Sequence, residues 1–453
     1  MLLIFPNHPM SCKAPPLGLG YIAAALEESG EKVEIVDCQI CSDYKKKIIN
    51  SLSRHSQVGI SGVVGNFTNA LDIAKLIRER SAQTKIIMGG HLPSAIYDKL
   101  IPEHADIVVI GEAEDTISEL VNSNDLSSIR GIVYWDDNNL KINPPRPLIS
   151  NLDRIRFPAW HLFNNYKNYR FRKSPHLLVA SMITSRGCPY QCIYCMKIIH
   201  GSKIRLRSVD NVISEIDYLV ARFNIKEFRI FDENFTFYPE RVKELCEKII
   251  SRGYKNIRLA LPTGIRADKG DKEMFGMMAK AGFYWIGFGI ESGSQEVQTK
   301  IKHKLELNKA KEVVKIAKET GMHVHVQFML GHPFDTLTTM QETIDFAKGL
   351  PVNEAHFSIC IPFPGTELYK MVQNKGRFLE DLILQPTYHF SGKLCYEINN
   401  LKAKEVRRMY RKAYRDFYFR FPQIRWIFRR VIKYNLRQLI MIWQERKNFF
   451  FKS

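Results

Sequence analysis

No stretch of eighteen consecutive apolar residues occurs in this 453-residue chain, so no segment is expected to span a membrane. The apolar start, Met1 to Phe5, stops at Pro6. It is too short for the hydrophobic core of a signal peptide and reads as a buried first strand. Cysteine is too sparse for a disulfide framework, nine in the whole chain, and that usage suits a reducing cytoplasm. Six of the nine, Cys12, Cys38, Cys41, Cys246, Cys360 and Cys395, are scattered and read mostly as small buried apolar residues. Acidic residues are scarce at one end. Leu401 to Ser453 holds three, against sixteen Lys and Arg, so this tail carries +13 of the net +19. The body, 45% apolar and 25% charged over the whole chain, has the composition of a soluble globular protein. Its length implies two or three domains.

What is present is mostly βα alternation. Over residues 1–125, short apolar runs at Leu2–Phe5, Val33–Val36, Val58–Ser61, Lys85–Met88 and Ile107–Ile110 read as buried parallel strands. Helical patterns such as Gly20–Ser29 and Thr68–Arg80 lie between them. This predicts a doubly wound, Rossmann-like α/β domain, with ligands beyond the carboxyl ends of its strands. Residues 126–175 read as a connector. It holds a hairpin, Gly131–Trp135 with Lys141-Ile142, then Asn143-Pro-Pro-Arg-Pro147, which cannot be helical. Six further βα units fill 176–375. Their strands fall near Leu177–Thr184, Glu227–Phe231, Arg258–Leu261, Trp285–Ile290, His323–Leu330 and Ala355–Ile361. Six units suggest a partial (β/α)6 barrel whose site lies at the strands' carboxyl ends. Residues 376–453 form a C-terminal region with a basic, aromatic-rich helical tail.

The most specific feature is Ser185-Arg-Gly-Cys-Pro-Tyr-Gln-Cys-Ile-Tyr-Cys195, directly after the first barrel strand. Cys188, Cys192 and Cys195 sit at metal-ligand spacing but are one short of the four that structural zinc or ordinary iron–sulfur clusters take. The bland alternatives are a zinc loop completed by His200, or three unrelated core thiols. The run resembles the signature of the radical S-adenosylmethionine (SAM) enzymes, with Tyr194 at the aromatic position before the last cysteine. That resemblance implies a [4Fe–4S] cluster on Cys188, Cys192 and Cys195. Its open iron would chelate SAM and pass an electron that cleaves the sulfonium, giving methionine and a 5′-deoxyadenosyl radical.

The resemblance covers about residues 1–375. Pro15-Pro-Leu-Gly-Leu-Gly20, Gly89-Gly-His91, Gly111-Glu-Ala-Glu-Asp-Thr116 and Leu152-Asp-Arg-Ile-Arg-Phe-Pro-Ala159 resemble the cobalamin-binding branch of these enzymes. Arg156 stands where a proline is more usual. That branch includes the anaerobic magnesium-protoporphyrin monomethyl ester cyclase and the class B methyltransferases. It implies a corrinoid platform from Ser61–Asn66, Gly89–Ser94 and Gly111–Thr116, with Ser61, Gly89, Gly90, His91, Gly111 and Glu112 as candidate contacts. The Asp-x-His-x-x-Gly motif is absent, so no lower histidine from that motif is expected on cobalt. An ordinary Rossmann scaffold is the alternative.

In the barrel the resemblance sets Asp232, Glu233 and Asn234 against the SAM amino group, where a carboxylate facing an ammonium makes a strong hydrogen bond. It sets Glu291 and Ser292 at the ribose. Arg266 reads equally as a partner of the SAM carboxylate or as one half of a surface pair. Gly331-His-Pro-Phe334 and Pro362-Phe-Pro-Gly-Thr-Glu367 read as shaping the adenine pocket and the substrate mouth.

In the tail, Arg407–Trp443 interleaves basic residues with Tyr410, Tyr414, Phe417, Tyr418, Phe421, Trp426, Phe428, Tyr434 and Trp443. Such a segment suits an anionic membrane surface, ahead of plain packing on the body and well ahead of nucleic acid. The sequence thus reads as a cytoplasmic cobalamin-dependent radical SAM enzyme, methylating an unactivated carbon of a hydrophobic small molecule such as a lipid or tetrapyrrole. A low-potential donor such as flavodoxin or ferredoxin would supply electrons. The rivals are an oxidative cyclase on the same scaffold, a tRNA methylthiotransferase, and a non-enzymatic zinc-bearing adaptor.

Overall fold

The structure, a computed structural model, describes residues 1–8, 14–163, 168–171, 174–382, 393–399 and 401–420. Cys12 and the tail beyond Arg420 lie outside these residues. The first sheet has seven strands: β1 (Leu2–Phe5), β2 (Glu34–Asp37), β3 (Gln57–Ser61), β4 (Lys85–Gly89), β5 (Ile107–Val109), β6 (Ile132–Asp136) and β7 (Asn139–Ile142). Their order is β2-β1-β3-β4-β5-β6-β7. The first five are parallel, as their apolar runs predict. The hairpin forms, but it does not stand apart as a connector: β6 and β7 continue the sheet antiparallel from β5.

Alternate strand residues feed two helix layers, which is why the runs are apolar throughout. Leu3, Ile87 and Val109 pack with α1 (Leu17–Glu28) on one face. Leu2, Ile4, Ile60 and Met88 pack with α2 (Tyr44–Leu52) and α3 (Phe67–Arg80) on the other. The strand order reverses between β1 and β3, and a crevice at such a switch point is where doubly wound sheets bind ligands. The loops after β3 and β4, together with α4 (His91–Ala95) and α5 (Glu114–Asn122), edge that crevice.

The second sheet begins with β8 (Arg170–Phe171) and β9 (Ser174–Met182). A small antiparallel ribbon follows, β10 (Ser185–Arg186) with β11 (Arg205–Leu206). The barrel continues through β12 (Glu227–Ile230), β13 (Arg258–Arg266), β14 (Phe283–Glu291), β15 (His323–Leu330) and β16 (Glu354–Ile359). β9 and β12 to β16 are parallel and adjacent in sequence order, with β8 antiparallel on β9. This is the open six-unit barrel expected from the sequence. Its connecting helices are α6 (Val209–Phe223), α7 (Pro239–Arg252), α8 (Lys272–Lys280), α9 (Gln295–Lys300), α10 (Leu307–Glu319) and α11 (Leu337–Gly349). α12 (Glu367–Lys375) and the ribbon of β17 (Gly376–Phe378) with β18 (Tyr396–Ile398) follow.

An open barrel leaves β16 as an edge, which exposes unpaired backbone groups. The helix α13 (Ala403–Tyr418) covers it. Val406, Met409, Tyr410, Ala413 and Phe417 are its buried face. Tyr414 Oη donates to Phe357 O at 3.0 Å, and Tyr418 Oη donates to Ala355 O at 2.9 Å. This corrects the membrane reading for the first part of the tail. Tyr410, Tyr414, Phe417 and Tyr418 are packing residues, and the basic side chains Lys404, Arg408, Arg411 and Arg415 face outward, with Phe419 exposed just past the helix. Phe421, Trp426, Phe428, Tyr434 and Trp443 lie outside the described residues. No helix among the described residues is long and apolar enough to cross a membrane.

Candidate active site

The cysteine loop leaves the barrel where β9 ends and returns through β11, so the β10–β11 ribbon ties its two ends together. Gly187 enters the loop at φ +92°, and a Cβ there would collide with the Lys203 carbonyl. Only glycine fits such a position. Within the loop Cys195 N–H donates to Cys192 O at 3.1 Å. Ile193 N–H donates to Ile301 O at 3.1 Å and Ile193 O accepts from Leu368 N–H at 2.9 Å, which pins the loop between α9 and α12. Burial raises all three thiols, Cys192 to about 11 and Cys195 to about 12, and repulsion from the neighbouring cysteines adds to this at Cys192 and Cys195. Three neighbouring thiols that resist ionising alone suit a cationic group that takes them as thiolates.

Among the described residues no three His, Cys, Asp or Glu side chains converge as ligands of one ion. Zinc requires that convergence. A cubane does not, since each thiolate takes its own iron. His200 is also turned elsewhere: its Nδ1 lies 2.5 Å from Glu233 Oε1. With His200 held by Glu233, the loop offers three thiols, the donor set that the resemblance assigns to a [4Fe–4S] cluster.

Asp232, expected against the SAM amino group, is instead spent on the root of the cysteine loop. Its carboxylate accepts from Thr184 N–H, Thr184 Oγ1 and Ser185 Oγ, each at 2.6 Å. Glu233 binds His200 and accepts from Gly187 N–H at 3.2 Å. Burial works to raise its carboxyl, but the His200 contact prevails and holds it low. Asn234 is the member of the trio aimed at a missing partner. It is 3% exposed, and neither its Oδ1 nor its Nδ2 has a hydrogen bond. A buried unsatisfied amide is the mark of a polar ligand site.

Glu291 ends β14 on a register shift, with φ +68°. Burial lifts its carboxyl to about 8, against the pull of Arg266. It stands over Gly289, where a Cβ would meet its Oε1 at 2.8 Å. Ser292, expected at the ribose, is fully buried and holds the loop: its Oγ accepts from Ser294 N–H at 3.1 Å and lies 3.3 Å from Thr343 Oγ1. Arg266 forms a pair, as one of its two readings has it, but the pair lies largely below the surface. It is buried, bonds Asp268 Oδ2 through Nε and Nη2 at 2.9 and 2.7 Å, donates to His303 O at 2.6 Å, and stacks on the Tyr190 ring. It braces the cysteine loop through Tyr190.

His332 belongs to the Gly331-His-Pro-Phe334 stretch that the sequence sets at the adenine pocket and the substrate mouth. It follows β15 and is fully buried, and burial lowers it to about 4 against the opposing pull of the Glu291 backbone. Its ring lies 5.8 Å from that of Tyr194. Gly331, with φ +82°, turns the chain there.

On the first domain the glycine loops meet closely. Gly62 N–H donates to Gly89 O at 2.8 Å, and a Cβ on Gly90 (φ +106°) would lie 2.6 Å from Gly62 O. Ser61, half-buried at the end of β3, borders this surface. A Cβ on Gly111 would meet only Ile198 O, at 3.9 Å, so this loop faces the cysteine loop across the crevice. Side-chain-free loops of this kind fit a wide flat ring. His91 lies close enough to His200 and Glu233 for their charges to influence it, although burial is the larger cause of its lowered pKa. Glu112 does not face the crevice. It is buried in ion pairs with Arg186 and Arg205 at 2.9 and 2.8 Å.

Comparison with known proteins agrees with this geometry. Residues 182–347 match the family described as the Radical SAM superfamily, and residues 11–121 match the B12 binding domain. The cytidylyl-2-hydroxyethylphosphonate methyltransferase of Streptomyces wedmorensis is 31% identical, over 80% of this chain and 78% of its own. An uncharacterised methyltransferase of Pyrococcus horikoshii is 28% identical over 93% and 92%. The anaerobic magnesium-protoporphyrin IX monomethyl ester cyclase of Cereibacter sphaeroides is 24% identical over 80% and 61%. The fold is shared with the radical S-adenosylmethionine methyltransferase TsrM of Kitasatospora setae, solved with cobalamin and a [4Fe–4S] cluster bound. That match has a TM-score of 0.69 and 20% identity, over 82% of this chain and 77% of that one.

Proposed function

Because this chain belongs to the cobalamin-binding radical SAM enzymes, we propose that it transfers a methyl group to an unactivated carbon of a hydrophobic small molecule. The methyltransferase relative at 31% identity, spanning most of both chains, is the observation that carries methyl transfer ahead of cyclisation. When bound, the cluster supplies the electron that cleaves SAM, and the corrinoid supplies the methyl group. The chain's own residues do the rest. Cys188, Cys192 and Cys195 hold the cluster. Asn234, Glu233 and Glu291 offer polar contacts to SAM. Asp232 and Arg266 keep the cysteine loop in place. The glycine loops after β3, β4 and β5 carry the flat ring opposite that loop. Closing the two domains over the mouth excludes water and oxygen.

The lipid or tetrapyrrole class and an electron donor such as flavodoxin or ferredoxin belong to this reading. So do a cytoplasmic location and a peripheral membrane contact made by the tail beyond Arg420, which the +7 charge of residues 421–453 supports. Anaerobic turnover with methyl-labelled SAM and a lipid and tetrapyrrole extract tests it. Label in an organic-phase product is expected. An unlabelled, oxidised product would favour the cyclase, and label confined to aqueous products would replace the hydrophobic substrate by a polar one.

A further inference from the structure

Two facts about the domain junction are independent of any cofactor. Arg186 and Arg205 stand at the two ends of the cysteine loop, paired across the β10–β11 ribbon. Both reach one carboxylate on the other domain. Arg186 Nη1 donates to Glu112 Oε1 at 2.9 Å, and Arg205 Nη1 donates to Glu112 Oε2 at 2.8 Å. Glu112 Oε2 also accepts from Ile149 N–H at 2.8 Å, while Arg205 Nη1 reaches Ile149 O at 2.6 Å. A second carboxylate balances the charge: Arg186 Nη2 donates to Glu114 Oε1 at 2.5 Å. The Arg186 guanidinium lies over the Tyr21 ring at 5.2 Å, and Arg205 Nη2 reaches His200 O at 3.0 Å. Two guanidiniums and two carboxylates, all under 9% exposed, thus form a neutral buried junction of the first domain, the linker and both ends of the loop.

Stability alone does not call for such a junction, because apolar residues of similar volume are commonly as stable as a buried ion network. What a guanidinium fork adds is direction: two fixed donors that admit one orientation of the carboxylate. Glu112 follows Gly111, the loop that faces Ile198. Arg186 precedes Cys188 by two residues. We propose that Glu112 is a positioning residue, which sets the separation and tilt of the corrinoid loop relative to the cluster loop through Arg186 and Arg205. It touches neither cofactor, and it acts on the coupling between the two sites rather than on the filling of either.

The proposal rests on the proposed function for one of its two readouts. In Glu112→Gln the junction loses a charge, and one of the two arginines meets an NH2 donor where it had an acceptor oxygen. Iron, sulfide and cobalamin contents are expected to stay at wild-type levels. The dipolar coupling between Co(II) cobalamin and the reduced cluster, read by pulsed paramagnetic resonance, is expected to shift or broaden. The ratio of 5′-deoxyadenosine to methylated product is expected to rise about tenfold or more, since displacements near 1 Å carry costs of that order. Arg205→Lys, which keeps the cation but loses the fork, serves where Glu112→Gln does not fold, and is expected to move both readouts the same way by a smaller factor. Glu112→Asp, restoring the carboxylate, should recover part of the effect. A lowered Tm with unchanged dipolar coupling and unchanged product ratio overturns the proposal and leaves the junction as structural support alone. If the wild type makes no methylated product, the functional reading fails, while the dipolar measurement still decides the role of Glu112.

Discussion

Tyr414 Oη donates to the carbonyl of Phe357 at 3.0 Å and lies 3.3 Å from the amide of the same residue, which donates back to it. One hydroxyl thus serves both backbone groups of a residue on the open edge of the barrel, as a paired strand would. Tyr414→Phe should leave the ring packing intact and cost about 1–2 kcal/mol of stability, read as a lower midpoint in urea. Ending the chain after Arg420 should leave the barrel soluble, whereas ending it before Ala403 should cause aggregation. A soluble, cluster-binding protein ending at Leu401 would show that the edge needs no cover.

Replacing Cys188, Cys192 or Cys195 by Ala should abolish stable iron–sulfur binding and SAM cleavage. Cys246 and Cys360, which are fully buried and outside the three-cysteine spacing, should tolerate Ala at a cost in stability only. Iron and sulfide analysis of anaerobically reconstituted protein decides. Full cluster content in Cys192→Ala would remove the assignment.

Asp232 and Asn234 are two residues apart and should behave oppositely. Asp232→Ala strands three buried donors, each costing about 1–3 kcal/mol, so Tm and iron content should both fall. Asn234→Ala removes atoms that have no partner within the protein, so Tm should hold while SAM affinity weakens. Calorimetric titration with SAM alongside thermal melts separates the two.

Glu291 gives a pH dependence of defined sign. Burial raises its carboxyl from 4.5 to about 8, so the folded state keeps a proton that the unfolded chain releases. Its contribution to stability is full below the unfolded value and is lost as pH rises through the folded one. The Tm of the cluster-free protein should therefore decline between about pH 5 and 8, and Glu291→Gln should flatten that decline. Parallel curves for the two proteins would assign the slope to other groups.

Cobalamin should bind without a histidine from the missing motif, so the Co(II) spectrum should lack nitrogen superhyperfine splitting. Gly90→Ala, which drives a Cβ to 2.6 Å from Gly62 O, should block uptake. A clear nitrogen signature would correct the axial ligand, and normal uptake by Gly90→Ala would move the platform elsewhere.

The local signals in the sequence were legible. Apolar runs located the parallel strands, and the cysteine spacing located the cluster loop, because both depend on residues near one another in the chain. β13 and β14 extend beyond their apolar runs because the ladder resumes at Ile265 after an irregularity spanning Pro262-Thr-Gly264, and at Glu291 after a register shift, where the pattern breaks. Which polar groups are already spent was not legible. Asp232 and Ser292 look free in the sequence until Thr184, Ser185 and Thr343 are placed beside them. Glu112 belongs to the loop motif, but its partners lie 74 and 93 residues away. No periodicity reports such a distance.

The shared carboxylate at Glu112 also limits how this chain can be recombined. Exchanging the first domain for that of a relative, with the crossover placed in the linker, would part Glu112 and Glu114 from Arg186 and Arg205 and leave Ile149 on whichever side the cut falls. These five positions form an inheritance unit that ignores the domain boundary. A functional chimera would have to carry them as a set, even where every other residue of the two halves came from different parents.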